Sequence, residues 1–437
     1  MRQSKIATLL FSLFLLLTLT NCNWLQFRYD ANHSGQNPFD GLTPGTAAAL
    51  TKITVFDTHG QDVFDSSAAV GVFGDPWPWR FTTIAFVQGN SGTFYAINIS
   101  GSGVGTLRWI SYLHVWQGFA SAPAVDGALS IVYVRDNIGL NAFDVHTGTL
   151  LWYGLVSQAF GSPTVANGIV YLASDDGHIY GFDPSTCANS GGVCQPTFKS
   201  VTLNDGLSHD FFSSPAVANG LVYIADFAGS VGFEVLAFNL GGGNPGSVNW
   251  RTLQNGPISS TQFNFLTAPA VVNGVVYIGF GCGSCSPAYG GLRAYNASTG
   301  APCWNILTLP KLRQIDSPAA VVTENGVPFA YVGAFDGLYK IDARCAGGGG
   351  VVPGWPKGGP IARSSAAVAN TGSNEVIFVG SEDGKVYAYD SSGTSITNFP
   401  QIVGDGIYPV IFSPAVASQT VYVGCQDGGD GKLYAFR

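Results

Sequence analysis

Methionine is almost missing from this sequence, with one residue in 437, and charge is scarce as well. Asp, Glu, Lys and Arg together make up 11%, less than half the ordinary share of about 25%. A helical protein of this size draws heavily on Glu, Lys and Met, so the composition argues against a helical fold. The 19 Lys and Arg form no basic run, which leaves a nucleic-acid partner without support. The net charge of −8 speaks for solubility, and no acidic tail accompanies it. There is no Gly-x-Ser-x-Gly elbow, P-loop or paired-carboxylate signature, so hydrolase and nucleotide chemistry find no footing. What is plentiful is glycine, 58 residues, and aromatics at 13%. That balance suits many short strands joined by glycine turns, with aromatic packing between layers.

The N-terminus reads as a targeting segment. Arg2 and Lys5 precede an apolar stretch from Ile6 to Leu19, shorter than the roughly 20 residues that span a bilayer. Leu19-Thr20-Asn21-Cys22 resembles a lipobox, with Asn21 where a small residue is usual. Residues 1–22 are therefore expected to be an export signal, with Cys22 a lipidation site or, alternatively, with plain secretion. The expected location is the outer membrane or cell surface, the periplasm, or the exterior. Export permits disulfides, and seven cysteines remain beside Cys22.

Self-similarity dominates the rest of the chain. One unit reads Gly161-Ser-Pro-Thr-Val165, then Gly168-Ile-Val-Tyr-Leu-Ala-Ser174, a turn at Asp176-Gly177, and His178-Ile-Tyr-Gly-Phe-Asp183. Copies begin near Ser66, Ser121, Gly161, Ser213, Thr267, Asp316, Ser364 and Ser413. Their spacing of roughly 40 to 55 residues is that of four-stranded propeller blades. The small Ser-Pro-Ala-Val segment suits an innermost strand crowded near the axis. Runs such as Ile169 to Ala173 suit strands packed on both faces. Asp176-Gly177, Asp336-Gly337 and Asp383-Gly384 read as tight hairpin turns, where glycine supplies the positive φ. The last copy stops at Lys432-Leu-Tyr-Ala-Phe-Arg437 without a fourth strand, and Leu50 to Phe56 has the register to supply it. The expectation is an all-β, eight-bladed propeller over residues 23–437, closed by residues 50–56.

Ala142-Phe-Asp144, Thr147-Gly148 and Trp152, repeated at Ala294-Tyr-Asn296, Thr299-Gly300 and Trp304, resemble the tryptophan-docking motif of pyrroloquinoline-quinone (PQQ) repeat propellers. So does the opening from Trp24 to Pro38, with Phe27, Asp30, His33, Gly35 and Asn37. The resemblance implies that each such Trp stacks on the next blade. Blades 1, 7 and 8 lack the full motif, and Trp355 of blade 6 follows a glycine-rich insert. The chain is also similar in architecture to the lipid-anchored propeller subunit of the outer-membrane barrel-assembly machinery. In catalytic members the resemblance implies PQQ over the channel, a disulfide between adjacent cysteines and a calcium ion. This sequence has no Cys-Cys dipeptide. The reading is thus a binding or scaffold propeller with no cofactor, expected to be a monomer that takes a protein or small ligand at one face. A PQQ-dependent alcohol or polyvinyl-alcohol-type dehydrogenase with calcium is the alternative.

The cysteines suggest loop disulfides at Cys187–Cys194 and Cys282–Cys285 and a bridge Cys303–Cys345, with Cys425 left over. Cys282 and Cys285 lack the second pair that a zinc site needs. The run Asp427-Gly-Gly-Asp-Gly431 reads as a turn, since it lacks the alternating oxygens of a calcium loop. The six histidines, His33, His59, His114, His146, His178 and His209, show no metal-ligand spacing, and most read as solvated loop or strand positions. Just before the repeat Pro, most blades place an apolar and then a small residue. Asp65, Asp316 and Arg363 break that rule, so they are the expected ligand-binding patch at the channel mouth, walled by loops at 226–235 and 281–290.

Overall fold

The computed structural model describes residues 23–64, 66–75, 80–113, 121–188, 192–228, 232–255, 265–282, 289–304, 315, 317–361, 363–370, 374–404, 410–427 and 429–437. It is an all-β propeller of eight small antiparallel sheets, with helix confined to short turns such as Pro44–Ala47 and Pro184–Cys187. Blade 3 shows the plan. The short inner strand Thr164–Ala166 pairs with Ile169–Ser174, which pairs with His178–Phe182, which pairs with Phe198–Lys199. Asn167 and Gly168 turn the first hairpin, both at positive φ (52° and 76°), a conformation that Asn and Gly tolerate best.

The ring closes as expected, one or two residues later in the chain. Lys52–Asp57 pairs antiparallel with Asp430–Phe436, and Thr51 and Arg437 exchange backbone hydrogen bonds at 3.0 and 3.1 Å. Closure removes two sheet edges that would otherwise invite foreign strands.

Tryptophans join blade to blade more regularly than the motif implied. The Trp109 indole donates to Val145 O (2.9 Å), Trp250 to Ala297 O (2.7 Å) and Trp304 to Arg344 O (2.7 Å). Trp152 packs on Phe182 and Trp355 on Tyr389. Blade 1 is therefore docked by Trp109 although its sequence departs from the motif. Near the axis, serine hydroxyls add a second set of links. Ser162 Oγ accepts from Ala122 N of blade 2, and Ser214 Oγ of blade 4 accepts from Ser162 N (3.0 and 2.8 Å).

Two disulfides among the described residues lie on the rim. Cys187–Cys194 closes a loop whose Val193–Cys194 strand runs parallel to the outer strand of blade 2, Leu150–Leu155. Cys303–Cys345 ties blade 5 to blade 6, with Cα atoms 4.6 Å apart. Cys425 is a buried thiol in the second strand of blade 8, Thr420–Asp427. Cys285 lies outside the described residues, so the pairing of Cys282 with it does as well.

Candidate functional site

An innermost strand has no neighbour on its axial side, so its amides need partners there. The segment from Trp24 to Asn37 supplies them, passing once around the channel. Trp24 exchanges two backbone hydrogen bonds with Val70 of blade 1 (2.8 and 2.7 Å), and Val125 of blade 2 donates to Leu25 O (2.7 Å). In blade 3, Val165 N donates to the side chain of Gln26 (2.8 Å). Val217, Val271, Val321 and Val368 of blades 4 to 7 donate to the carbonyls of Ala31, Asn32, Ser34 and Gly35, at 2.7 to 2.9 Å. Asn37 Nδ2 completes the circuit by donating to Val416 O of blade 8 (2.9 Å). Every repeat thus offers the Val of its inner strand to one continuous strap. Sequence reasoning found the segment as a signature but not its path. The left-handed turns at Arg28, Tyr29 and His33 that let it circle (φ 60°, 78° and 59°) fall on residues that do not announce them.

Two basic side chains of the strap are sunk in the channel. Arg28 donates to the carbonyls of Ala366 and Ala319 (2.8 and 2.5 Å), and burial lowers its guanidinium to about 9 against the opposing pull of Asp30. His33 is fully buried, with Nδ1 2.9 Å from Pro269 O and Nε2 3.2 Å from the Thr164 hydroxyl. Burial depresses its imidazole to about 3, with Arg28 acting in the same direction and the Pro269 carbonyl opposing.

Of the expected patch, Arg363 is described, and Asp65 and Asp316 lie outside the described residues. Arg363 is exposed, with Nε 3.8 Å from Glu382 Oε1. The expected wall at 226–235 needs correction. Residues 226–235 are mostly ladder, since Leu221–Ala228 pairs with Gly232–Asn239 down to Ala228↔Gly232. In blade 5, Val275–Cys282 pairs with Tyr289–Asn296 in the same way, and 283–288 lie outside the described residues. Blade 4 therefore carries a long hairpin rather than a long loop, because apolar alternation continues through Phe227 and Phe233.

The reading of the histidines as solvated also fails at three positions. His33 is buried in the strap, and His178 is buried with Nδ1 2.8 Å from Ser200 O. His209 stands in a charged cluster at the tip of blade 4. Here His209–Asp210 pairs with Phe227–Ala228, which sets His209 beside Asp226, and Asp226 lies opposite Glu234 in the hairpin register. His209 Nδ1 is 2.6 Å from Asp226 Oδ2 and 3.0 Å from Glu234 Oε1, while Nε2 is 3.1 Å from Asp205 Oδ1. Arg251 on the outer strand Val248–Asn255 bonds Asp205 Oδ2 (2.5 Å) and, through Nε, Glu234 Oε2. The Asp226 and Glu234 side chains are completely buried. The hydrogen bond to Asp226, helped by Asp205 and Glu234, lifts the His209 imidazole to about 9 against burial. Burial raises Asp226 to about 7 and raises Glu234 as well. One signal was available: single acids in the apolar strands Leu-Val-Tyr-Ile-Ala-Asp226 and Gly-Phe-Glu234-Val-Leu, in step with core residues Ile224 and Leu236.

On the outer rim of blades 1 and 2, large apolar side chains are exposed: Leu107, Ile110 and Tyr112 on one outer strand, Leu150, Leu151 and Leu155 on the next. Leu107 and Ile110 line a groove of about 490 Å³ with the closing strand, and Leu150 and Leu155 line a pocket of about 240 Å³ with Ile138.

Residues 105–190 and 197–397 match the family described as outer membrane protein assembly factor BamB. The chain belongs to this family. No curated protein matches it in sequence. Among solved structures it is similar to a europium-containing methanol dehydrogenase, at 12% identity over 96% of this chain and 99% of that one, with a TM-score of 0.64. It is similar to a quinohemoprotein alcohol dehydrogenase from Comamonas testosteroni, at 13% identity over 95% and 80%, with a TM-score of 0.58. A computationally designed protein, Ika8, gives 15% identity over 87% and 99%, also with a TM-score of 0.58. Identities this low speak to the fold alone.

The dehydrogenase likeness raises the question of PQQ, a flat tricarboxylate that needs an open slot and cationic donors. In this BamB-family chain the strap circles the channel, and its buried basic groups, Arg28 and His33, already face protein carbonyls. Arg28 and His33 are thus committed to the strap rather than to a quinone.

Proposed function

We propose that this chain is an exported, non-catalytic binding propeller of the bacterial envelope, a scaffold that holds a protein partner in the service of outer-membrane protein assembly. The observation that carries the reading is the apolar rim of blades 1 and 2. Apolar side chains gathered on neighbouring outer strands and beside a groove mark protein contact surfaces in soluble proteins. The family description points to assembly work, and the strap leaves the axis to structure rather than to a substrate. Export by residues 1–22, with lipidation at Cys22, would place the rim where such a partner works.

The test is affinity capture from detergent-extracted envelopes, comparing the full chain with an Ile110→Asp, Leu150→Asp variant. Both substitutions fall on exposed side chains, so the circular-dichroism spectrum should be unchanged. The expected result is an envelope protein held in stoichiometric amount by the parent and lost by the variant. The same proteins held by both, or bound quinone with alcohol-dependent dye reduction after adding PQQ and Ca²⁺, would overturn the reading.

A further inference from the structure

We propose that the tip of blade 4 is a binding site for one divalent first-row transition metal ion, zinc or manganese in type, with His209 Nδ1, Asp226 Oδ2 and Glu234 Oε1 as its protein ligands. The three ligand atoms lie within 4.8 Å of one another and come from three different strand segments. The hairpin register fixes the two carboxylates face to face, so the site is built into sheet rather than carried on a loop.

Glu234 gives a second observation. Its side chain is wholly buried, and Oε1 accepts no hydrogen bond, with only the His209 Nδ1 ion pair beside it at 3.0 Å. His209 Nδ1 lies nearer to Asp226, at 2.6 Å, and Arg251 is taken up by the other oxygen of Glu234, Oε2. A buried carboxylate oxygen without a donor is costly, and Oε1 faces the position that Nδ1 and Asp226 share.

The surroundings are those of a ligating histidine. Metal-bound imidazoles almost always give their other ring nitrogen's hydrogen to a carboxylate or carbonyl, which fixes the tautomer. Here Asp205 holds Nε2, and Arg251 holds Asp205 in turn. That arrangement turns the Nδ1 lone pair toward Asp226 and Glu234. Three carboxylates, Asp205, Asp226 and Glu234, face one guanidinium, Arg251, around the imidazole. A nitrogen beside two carboxylate oxygens suits zinc, manganese or iron(II) better than calcium or magnesium, which prefer oxygen alone. Three protein ligands leave positions open for water or for a group from a partner.

The experiment uses the full mature chain, stripped with chelator and titrated with Zn²⁺ by calorimetry, beside a thermal melt with and without the ion. One site per chain and a higher melting temperature with zinc are expected. Asp226→Asn and Glu234→Gln should each weaken binding by well over tenfold. Asp205→Asn, a change at the partly exposed residue that holds His209 Nε2, should weaken it about tenfold. Absence of a site in the parent chain overturns the proposal. So does zinc binding that Asp205→Asn and Asp226→Asn leave unchanged, which would place the ion elsewhere. Should Asp226→Asn fail to fold, the parent titration and Asp205→Asn still decide. The result is independent of partner capture at the rim of blades 1 and 2.

Discussion

Gly148 lies directly under the indole of Trp109: a Cβ placed on it would fall 2.5 Å from Trp109 Cδ2. The turn of blade 2 can hold the tryptophan of blade 1 only because residue 148 has no side chain, and its φ of 70° asks for glycine too. Gly148→Ala should therefore cost about 2–4 kcal/mol, from left-handed strain of roughly 1 kcal/mol plus a forced shift of the ring. Gly168→Ala is the control. Its φ is 76°, but nothing lies within 4 Å of the new methyl, so it should show the strain alone. Urea melts of both variants check this, and equal losses would mean that ring contact at Gly148 is unimportant.

The closing strand makes a second prediction. Ile53 pairs with Ala435 in the ladder that joins Lys52–Asp57 to blade 8, two residues along from the reciprocal bonds of Thr51 and Arg437, so its amide points into the ladder. Ile53→Pro removes that ladder donor and clashes locally, at about 3 kcal/mol or more, and it opens the seam where the last blade is completed by a distant part of the chain. We expect a lower melting midpoint and concentration-dependent aggregation in light scattering, since the exposed edges can pair with another copy.

Repeat spacing made the ring and its closure legible, because blade-to-blade register depends on patterns within each copy. The missing last strand could be inferred by counting. The strap could not, since its contacts are backbone to backbone: Val217 to Ala31 and Val271 to Asn32 would form with other side chains at those places. Trp109 was hidden for a related reason. Its docking needs only a glycine turn in the next blade, not the full motif in its own. The blade 4 cluster was missed because spacing rules for metal ligands assume neighbours in sequence. Asp205, His209, Asp226, Glu234 and Arg251 meet through hairpin register. The expected patch rested on position within the repeat, which says which residues are unusual but not what they face. Arg363 has Glu382 for a neighbour.

His33 should make stability depend on acid. Its folded imidazole titrates near 3, below the ordinary 6.5, because it is buried. Between those values the unfolded chain binds a proton that the folded chain does not. The histidine's contribution is therefore complete above about pH 6.5 and is lost as pH falls, by up to about 1.4 kcal/mol per pH unit. Asp40 acts oppositely, since burial raises its carboxyl to about 6 and favours the folded state in acid. The difference between the parent and His33→Asn removes that background, and Asn tolerates the φ of 59°. The gap in unfolding free energy should shrink from pH 7 to pH 4. A constant gap would show that His33 protonates as readily in the channel as in the open chain.

The two disulfides should differ in what they contribute, because they close loops of different length. Cys303 and Cys345 are 42 residues apart in sequence, Cys187 and Cys194 only 7. A cross-link restricts the unfolded chain more when the loop is longer, by about 4 kcal/mol for the first and about 2.5 kcal/mol for the second. The longer bridge also fixes blade 5 to blade 6 beside the docked Trp304, whose indole reaches Arg344 O. The shorter one holds Val193–Cys194 against the exposed edge of blade 2. Replacing both cysteines of a pair by serine separates these roles. Cys303→Ser with Cys345→Ser should lower the unfolding midpoint more, whereas Cys187→Ser with Cys194→Ser should chiefly speed amide exchange at Tyr153, which donates to Gly192 O. Hydrogen exchange and urea melts on the two double variants measure both effects. An equal loss of midpoint from the two would refute the loop-length argument for this ring.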